Sequence, residues 1–197
     1  MSDYYIFHRN LSAENATPDE PAYMEIEDWV GINGFEDWGR GTFAKQSPSG
    51  PVEIRAVPYY GYVGQPDDFQ DFSVPLMSKR LKQVLQSAGV DNINFHPVTL
   101  RNTETGQTYD YYAFNLVGLV SAVDFSQSKI GSHDGDFIGD SQIHDLVIDD
   151  TKCRHALMFR MVEQFSTILV HRTVKEAVER SGITSVKFIR PEDFMAL

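Results

Sequence analysis

The segment 131–145, GSHDGDFIGDSQIHD, concentrates the side chains best able to bind a metal ion: His133, Asp134, Asp136, Asp140, His144 and Asp145. Aligned on a twelve-residue calcium loop, it places Asp134 at position 1, Asp136 at position 3 and Gly139 at the sharp turn. Ile138 then occupies a position that needs an oxygen ligand, and Asp145 stands where a bidentate Glu is usual. The segment therefore fits a solvated, turn-rich acidic loop better than a calcium site.

The two histidines of this segment leave a second chemistry open. His133 and His144 with one carboxylate, such as Asp136, could hold zinc or iron, since imidazole and carboxylate suit both metals. A metal-dependent hydrolase is the alternative function that this set implies. Because the spacing matches no established metal signature, we predict no metal and no cofactor, and the hydrolase stays the alternative.

Nucleophilic catalysis has one candidate, Cys153, which is the only cysteine. Lys152 and Arg154 flank it and would lower the thiol pKa, and on a strand it would share a face with His155. Nothing else supports a catalytic thiol, and no nucleophile elbow, Walker loop or dinucleotide fingerprint occurs. A single cysteine also excludes an intrachain disulfide. The sequence therefore predicts a protein that is not an enzyme.

Aromatic and acidic side chains offer a different function, which is the binding of a protein partner. Tryptophan and tyrosine are over-represented among binding hot spots because they bury much area at little entropic cost. Several tryptophans and tyrosines lie close to acids in glycine- and acid-rich segments. Together they form a candidate partner-binding face: Trp29, Glu36, Asp37, Trp38, Tyr59, Tyr60, Asp67 and Asp68. The alternative is that the tryptophans fill the core, as most tryptophans do.

The charge of the chain narrows the choice of partner. The net charge is −11, and residues 1–75 hold 13 acids against 4 bases, a net of −9. Such a surface repels nucleic acid and anionic membranes, and it attracts a basic protein. We expect association with such a partner to slow as salt rises. Charge reversal at Asp67 and Asp68 should slow it too.

The expected compartment is the cytoplasm. Residues 1–10 lack a basic stretch followed by an apolar run, so no signal peptide is predicted, and no run of apolar residues approaches a membrane span. An apolar fraction of 42% with 13 Phe and 9 Tyr is ordinary for a globular protein. We expect a monomer or weak homodimer; the alternative is a self-assembling subunit that pairs exposed strand edges between chains.

The second half of the chain has the clearest secondary-structure pattern. Residues 78–88 predict a helix, because an apolar stripe at i, i+3, i+4 and i+7 follows Ser78, a natural N-cap, and precedes Gly89, a natural terminator. The alternating residues 92–98 predict a strand that turns into a hairpin with YDYYAFNLVGL. Strands are also expected at 4–9 and 52–57.

An internal repeat points to duplicated structure. Without gaps, 72–95 overlies 165–188 with identities that include Phe72/Phe165 and Gly89/Gly182, so each copy is predicted to form a strand, a helix and a strand. The predicted fold is α+β, with helices packed on a mixed or antiparallel sheet that contains this duplication. We expect 1–60 to be an irregular segment with Trp/Gly-rich loops and 61–197 to be the α+β domain. The two can form one compact domain.

Three segments carry a resemblance to a known family: SKRLKQVLQSAGVDNINFHPVTL, YDYYAFNLVGLVSAVDFSQSK and the late SGITSVKFI. Through them, residues 72–125 resemble the Myxococcus-type immunity-protein family of bacterial polymorphic toxin systems. The resemblance extends over roughly 60–197 and is loose in the N-terminal third. The resemblance implies a toxin–antitoxin pair used in bacterial competition, in which this protein binds a secreted toxin tightly and performs no catalysis. We expect it to occlude the active site or substrate groove of the toxin. No binding residue is carried over from the family.

Overall fold

The computed structural model describes residues 2–10, 24–30, 35, 38–45, 48–58, 65–72, 74–130 and 143–194, with the backbone alone at 29, 30, 130 and 144. In chain order the strands and α-helices are β1 Tyr4–Arg9, β2 Met24–Val30, β3 Val52–Pro58, β4 Phe69–Gln70, β5 Leu76–Ser78, α1 Lys79–Ser87, β6 Ile93–Asn102, β7 Thr108–Leu116, β8 Leu119–Val120, β9 Lys129–Ile130, β10 Ile143–His144, β11 Met158–Met161, β12 Ile168–His171, α2 Arg172–Arg180 and β13 Val186–Ile189. Short 3-10 helices cover Asp150–Cys153 and Pro191–Asp193.

The strands form two large sheets. One has six strands in the order β2-β3-β6-β7-β5-β4, and the other has five in the order β13-β1-β12-β11-β8. Most neighbours are antiparallel, but β3 runs parallel to β6 and β8 runs parallel to β11. A small two-stranded sheet joins β9 and β10. Strands from the first 60 residues thus pair with strands from the rest of the chain.

The predicted α+β class, with helices packed on one mixed or antiparallel sheet, is wrong. The fold is mostly β, and the described residues contain two α-helices of nine residues each. Nine residues span only about 13 Å, too little to cover a six-stranded sheet. Each helix buries two side chains, Leu81 and Leu85 in α1 and Val174 and Val178 in α2. The strands and the segments packed on them therefore supply most of the interior.

Helix α1 forms where its local signals place it. The Ser78 hydroxyl accepts a hydrogen bond from the Leu81 N–H at 3.1 Å, which satisfies one of the free donors of the first turn. Gly89 ends the helix with φ of +94°, a left-handed conformation that costs glycine little. The helix predicted over 78–88 is confirmed.

Three apolar clusters cover both faces of each large sheet. The first lies between the sheets and includes Phe114 of β7, Phe7 of β1 and the buried side chains of both helices. The second covers the opposite face of the six-stranded sheet around Ile54 and Trp38. The third covers the opposite face of the five-stranded sheet around Phe159. Because successive strand residues point to opposite faces, β7 contributes Phe114 to the first cluster and Ala113 to the second.

The two strand–helix–strand units share one arrangement that includes a third strand. In the first unit β7 lies between β5 and β6, and in the second β1 lies between β12 and β13, antiparallel to its neighbours in both cases. Ser78 and His171 begin the two helices and pair with Tyr111 and Tyr4 respectively. The inserted strands read YYAF at 111–114 and YYIF at 4–7. The second unit is therefore completed by the start of the chain.

The side-chain contacts of the two units match as well. Lys82 of α1 lies over the rings of Phe95 and Tyr112, at 4.5 and 3.7 Å from their centroids. Lys175 of α2 holds the equivalent place, over Phe188 at 5.9 Å and Tyr5 at 5.2 Å. A lysine on an aromatic face gains cation–π attraction while its aliphatic stem covers apolar surface. The same lysine–aromatic contact thus covers the edge of the apolar core in both units.

None of the described helices is long and apolar enough to cross a membrane.

Candidate partner-binding site

The predicted aromatic and acidic face is only partly covered by the structure. Trp38 is buried, with its indole edge-on to Phe35 at 4.8 Å between ring centroids. Trp29 lies in β2, but its side chain is outside the described part of the chain, as are Glu36, Asp37, Tyr59 and Tyr60 in full. Trp38 therefore contributes to the second apolar cluster, and the rest of this face stays a prediction.

Asp67 and Asp68 differ sharply in their environment. Asp67 is only 8% exposed, and its burial, aided by the charge of Asp68, raises the pKa of its carboxyl to about 7. Its backbone carbonyl accepts a hydrogen bond from the Tyr111 hydroxyl at 2.7 Å. Asp68 is half-buried and accepts hydrogen bonds from the Ser78 hydroxyl and, at 3.3 Å, from the Arg80 guanidinium. Both acids thus anchor the 65–72 segment, and their role in binding a partner stays a prediction.

The acidic loop proposed for metal binding falls largely outside the described residues. His133, Asp134, Asp136 and Asp140 belong to that part, and of His144 the backbone alone is described. Asp145 lies in an ion pair with Lys129 at 2.5 Å between Oδ2 and Nζ. No group of three or more histidine, cysteine or carboxylate side chains that could hold a metal occurs among the residues whose side chains are described.

Cys153 sits in a 3-10 helix, so the strand geometry expected to align it with His155 does not occur. The thiol is buried, and burial, together with the charges of Asp150 and Asp149, raises its pKa to about 12. A nucleophilic cysteine needs the opposite shift. Cys153 is therefore a small core side chain of the third cluster, and its thiolate is scarce at neutral pH.

Exposed apolar side chains surround the edge strand β8. Phe43 is 78% exposed, Leu119 is 39% exposed and Val162 is 36% exposed. Leu119 lies on β8 itself, and Val162 donates a backbone hydrogen bond to the Val120 carbonyl at 3.1 Å. We call these three residues the edge patch. All three lie on β8 or on segments hydrogen-bonded beside it, and exposed apolar side chains there are available for contact with another protein.

The segment that carries Phe43 is held firmly against β8. Gly41 accepts a backbone hydrogen bond from Gly118 at 2.8 Å, and the Thr42 carbonyl accepts one from the Asn115 side chain at 2.8 Å. A Cβ at position 41 would lie 2.7 Å from the Leu119 side chain, so only glycine allows this approach. The backbone at 41–42 is therefore fixed before any partner arrives.

The model of the immunity protein family Imm11 matches residues 4–193, and the chain belongs to this family. The suspected family is thus confirmed, and the match includes the N-terminal third, where the sequence resemblance was loose. A search of curated proteins finds no match.

The edge patch could not have been identified from sequence. Phe43, Leu119 and Val162 lie far apart in the chain, and none follows a pattern that distinguishes exposed from buried apolar residues. The one indication in the sequence is Gly41, because a glycine before Thr42 and Phe43 can mark a backbone conformation or a close approach that other residues do not allow. Leu119 lies near Val162 only because β8 pairs with β11, and Val162 follows directly after β11.

Proposed function

We propose that this immunity-family chain neutralises a cognate bacterial toxin by binding it and occluding its active site, with no reaction of its own. The edge patch is the observation that carries the proposal, since the toxin would cover it. Burial of a fully exposed phenylalanine side chain stabilises a complex by about 1.5–3 kcal/mol. Phe43, at 78% exposed, has most of that surface free.

The rigidity of the segment supports the proposal. The ordering of loops and side chains in a complex costs conformational entropy, and this cost lowers the affinity. Here the backbone around Phe43 is already fixed by the hydrogen bonds to Gly41 and Thr42. The conformational entropy lost on binding is therefore small, and the free energy of apolar contact contributes more fully to the affinity.

Charge supports a basic toxin surface as the partner. The net charge of −11 favours association with a positively charged protein and raises the association rate more than the affinity. Glu36, Asp37, Trp29, Tyr59 and Tyr60 stay candidates for toxin contact on the evidence of their residue types alone.

Phe43→Ala should weaken toxin binding about thirtyfold, because truncation of a central interface residue costs about 2 kcal/mol. The free energy of unfolding should stay within about 0.5 kcal/mol of the parent, as for most exposed positions. A calorimetric titration of the purified toxin domain with each variant measures the dissociation constant. Chemical denaturation of the variant alone measures its stability.

Phe125→Ala is the matched control, because Phe125 is also an exposed phenylalanine, 51% exposed, but lies outside the edge patch. It should bind the toxin domain as the parent does. Equal affinities for the parent and Phe43→Ala would remove the edge patch from the interface. Equal losses for both variants would mean that exposed aromatic area in general, and not this patch, drives binding.

A further inference from the structure

A cleft of about 500 Å³ opens beside the five-stranded sheet. Apolar side chains line much of it, among them Phe7, Phe69 and Ile168. The volume lies within the range of sites that bind small molecules, which are mostly apolar with a few convergent polar groups. The edge patch residues do not line it, so it is a separate feature of the surface.

Arg160 is the unusual residue of this cleft. It is only 4% exposed, although it carries a guanidinium group. Its Nη1 donates to the Phe165 carbonyl at 2.8 Å, whereas its Nε is buried and has no hydrogen-bond partner within the described part of the chain. Among the same residues no carboxylate lies within ion-pair distance of it. Carbonyl groups thus solvate this cation, but none of these contacts neutralises it.

Burial of the guanidinium lowers its pKa to about 10, against the opposing effect of Asp71, so Arg160 stays positively charged at neutral pH. A buried charge is costly unless an opposite charge pairs with it. The other charged side chains that line the cleft are Arg9, Lys187, Asp71 and Asp193. Arg160 thus shares the cleft with charges of both signs, and Lys187 is an exposed cation among them.

We propose that the cleft binds a small organic carboxylate that has an apolar ring or chain. The carboxylate would lie against the Arg160 guanidinium, whose Nη1 is already held by backbone carbonyls and whose positive charge favours an anionic partner. The apolar part would lie against Phe7, Phe69 and Ile168. Lys187, which is exposed at the rim, would add a second positive charge. Ligand binding in the cleft does not require toxin binding at the edge patch.

The test uses 4-phenylbutyrate as the probe and 4-phenylbutyramide as its neutral, nearly isosteric counterpart. On the full-length protein we expect the carboxylate to bind in the micromolar to millimolar range and the amide at least tenfold more weakly. The Arg160 Nε–H resonance should shift with the carboxylate alone. Acetate separates the two parts of the ligand and should bind more weakly than 4-phenylbutyrate, because it lacks the ring.

Rim variants test the charges without disturbing Arg160, which also holds the turn between β11 and β12. Lys187→Gln should weaken 4-phenylbutyrate binding about three- to fivefold, and Asp71→Asn should tighten it by a similar factor. Lys79→Gln, at an exposed lysine away from the cleft, should leave it unchanged. The proposal is overturned if the amide binds as well as the carboxylate, if neither binds at millimolar concentration, or if the rim variants have no effect.

Discussion

Replacement of Phe114 by alanine should lower the free energy of unfolding by about 3–5 kcal/mol, as expected for truncation of a fully buried phenylalanine. Phe114 is 0% exposed and lies in the cluster between the two large sheets, with its ring 6.2 Å from that of Phe69. The loss is a large share of a typical domain stability of about 5–15 kcal/mol. Urea denaturation followed by circular dichroism measures it.

Phe7→Ala should cost about as much, because Phe7 holds the position in β1 that Phe114 holds in β7. It is 4% exposed and packs on Phe69 at 5.0 Å between ring centroids. Phe43→Ala provides the contrast, with a change within about 0.5 kcal/mol. A loss below 1 kcal/mol for Phe114→Ala would mean that the sheets do not share one tightly packed core.

Asp67→Asn should stabilise the protein at pH 8 and change little at pH 4. The folded pKa of Asp67 is raised to about 7 by burial and by Asp68, while an aspartate in the unfolded chain has a pKa of about 3.9. The folded state therefore favours the protonated acid. Its contribution is fully present below pH 4 and is lost as the pH rises through 7.

The size of this effect follows from linkage, in which one pKa unit corresponds to about 1.4 kcal/mol. The gain from Asp67→Asn should therefore grow between pH 4 and pH 7 and reach a few kcal/mol at pH 8. Denaturation across pH 4–8 measures it. Asp110→Asn, an Asp-to-Asn change at an exposed position of β7, is the control measured beside it. A gain that is the same at pH 4 and pH 8 would contradict the burial of an ionisable Asp67.

The helices and strands that could be predicted are those that depend on residues close together in the chain. Helix α1 and its caps follow from the spacing of Leu81 and Leu85 and from Ser78 and Gly89, which act within a few residues of each other. The hairpin of β6 and β7 follows in the same way from alternation and a short turn. Strand β1 was also expected, from the apolar and aromatic residues of YYIFHR.

The fold class was not predictable from the same signals, because it depends on pairing between distant strands. Strand β1 inserts between β12 and β13, which lie near the other end of the chain. Strands of two residues, such as β4 and β8, are too short to show any alternation. β2 begins with the alternation MEIE that is typical of a strand, but the adjacent acids Glu27 and Asp28 interrupt it where the register shifts. These strands turn an apparent α+β pattern into a mostly β fold.

The candidate sites depend on tertiary structure in the same way. Asp67 and Asp68 are adjacent in sequence, yet one is buried and the other binds Ser78 and Arg80. Arg160 could have been recognised from sequence as an unusual residue, because a charged side chain seldom occurs within an apolar strand such as MFRM. Nothing in the sequence distinguishes Phe43 from the other twelve phenylalanines. Their burial is decided by strand order.

The most direct test of the central claim is the stoichiometry of toxin inhibition. The toxin is expected to be the C-terminal domain of a secreted protein encoded next to this gene, and its activity is measured after mixing with increasing amounts of the purified chain. Inhibition by occlusion predicts a linear loss of activity that is complete at one equivalent and independent of incubation time. Complete inactivation by a small fraction of one equivalent, progressing with time, would instead show that the chain modifies the toxin as an enzyme.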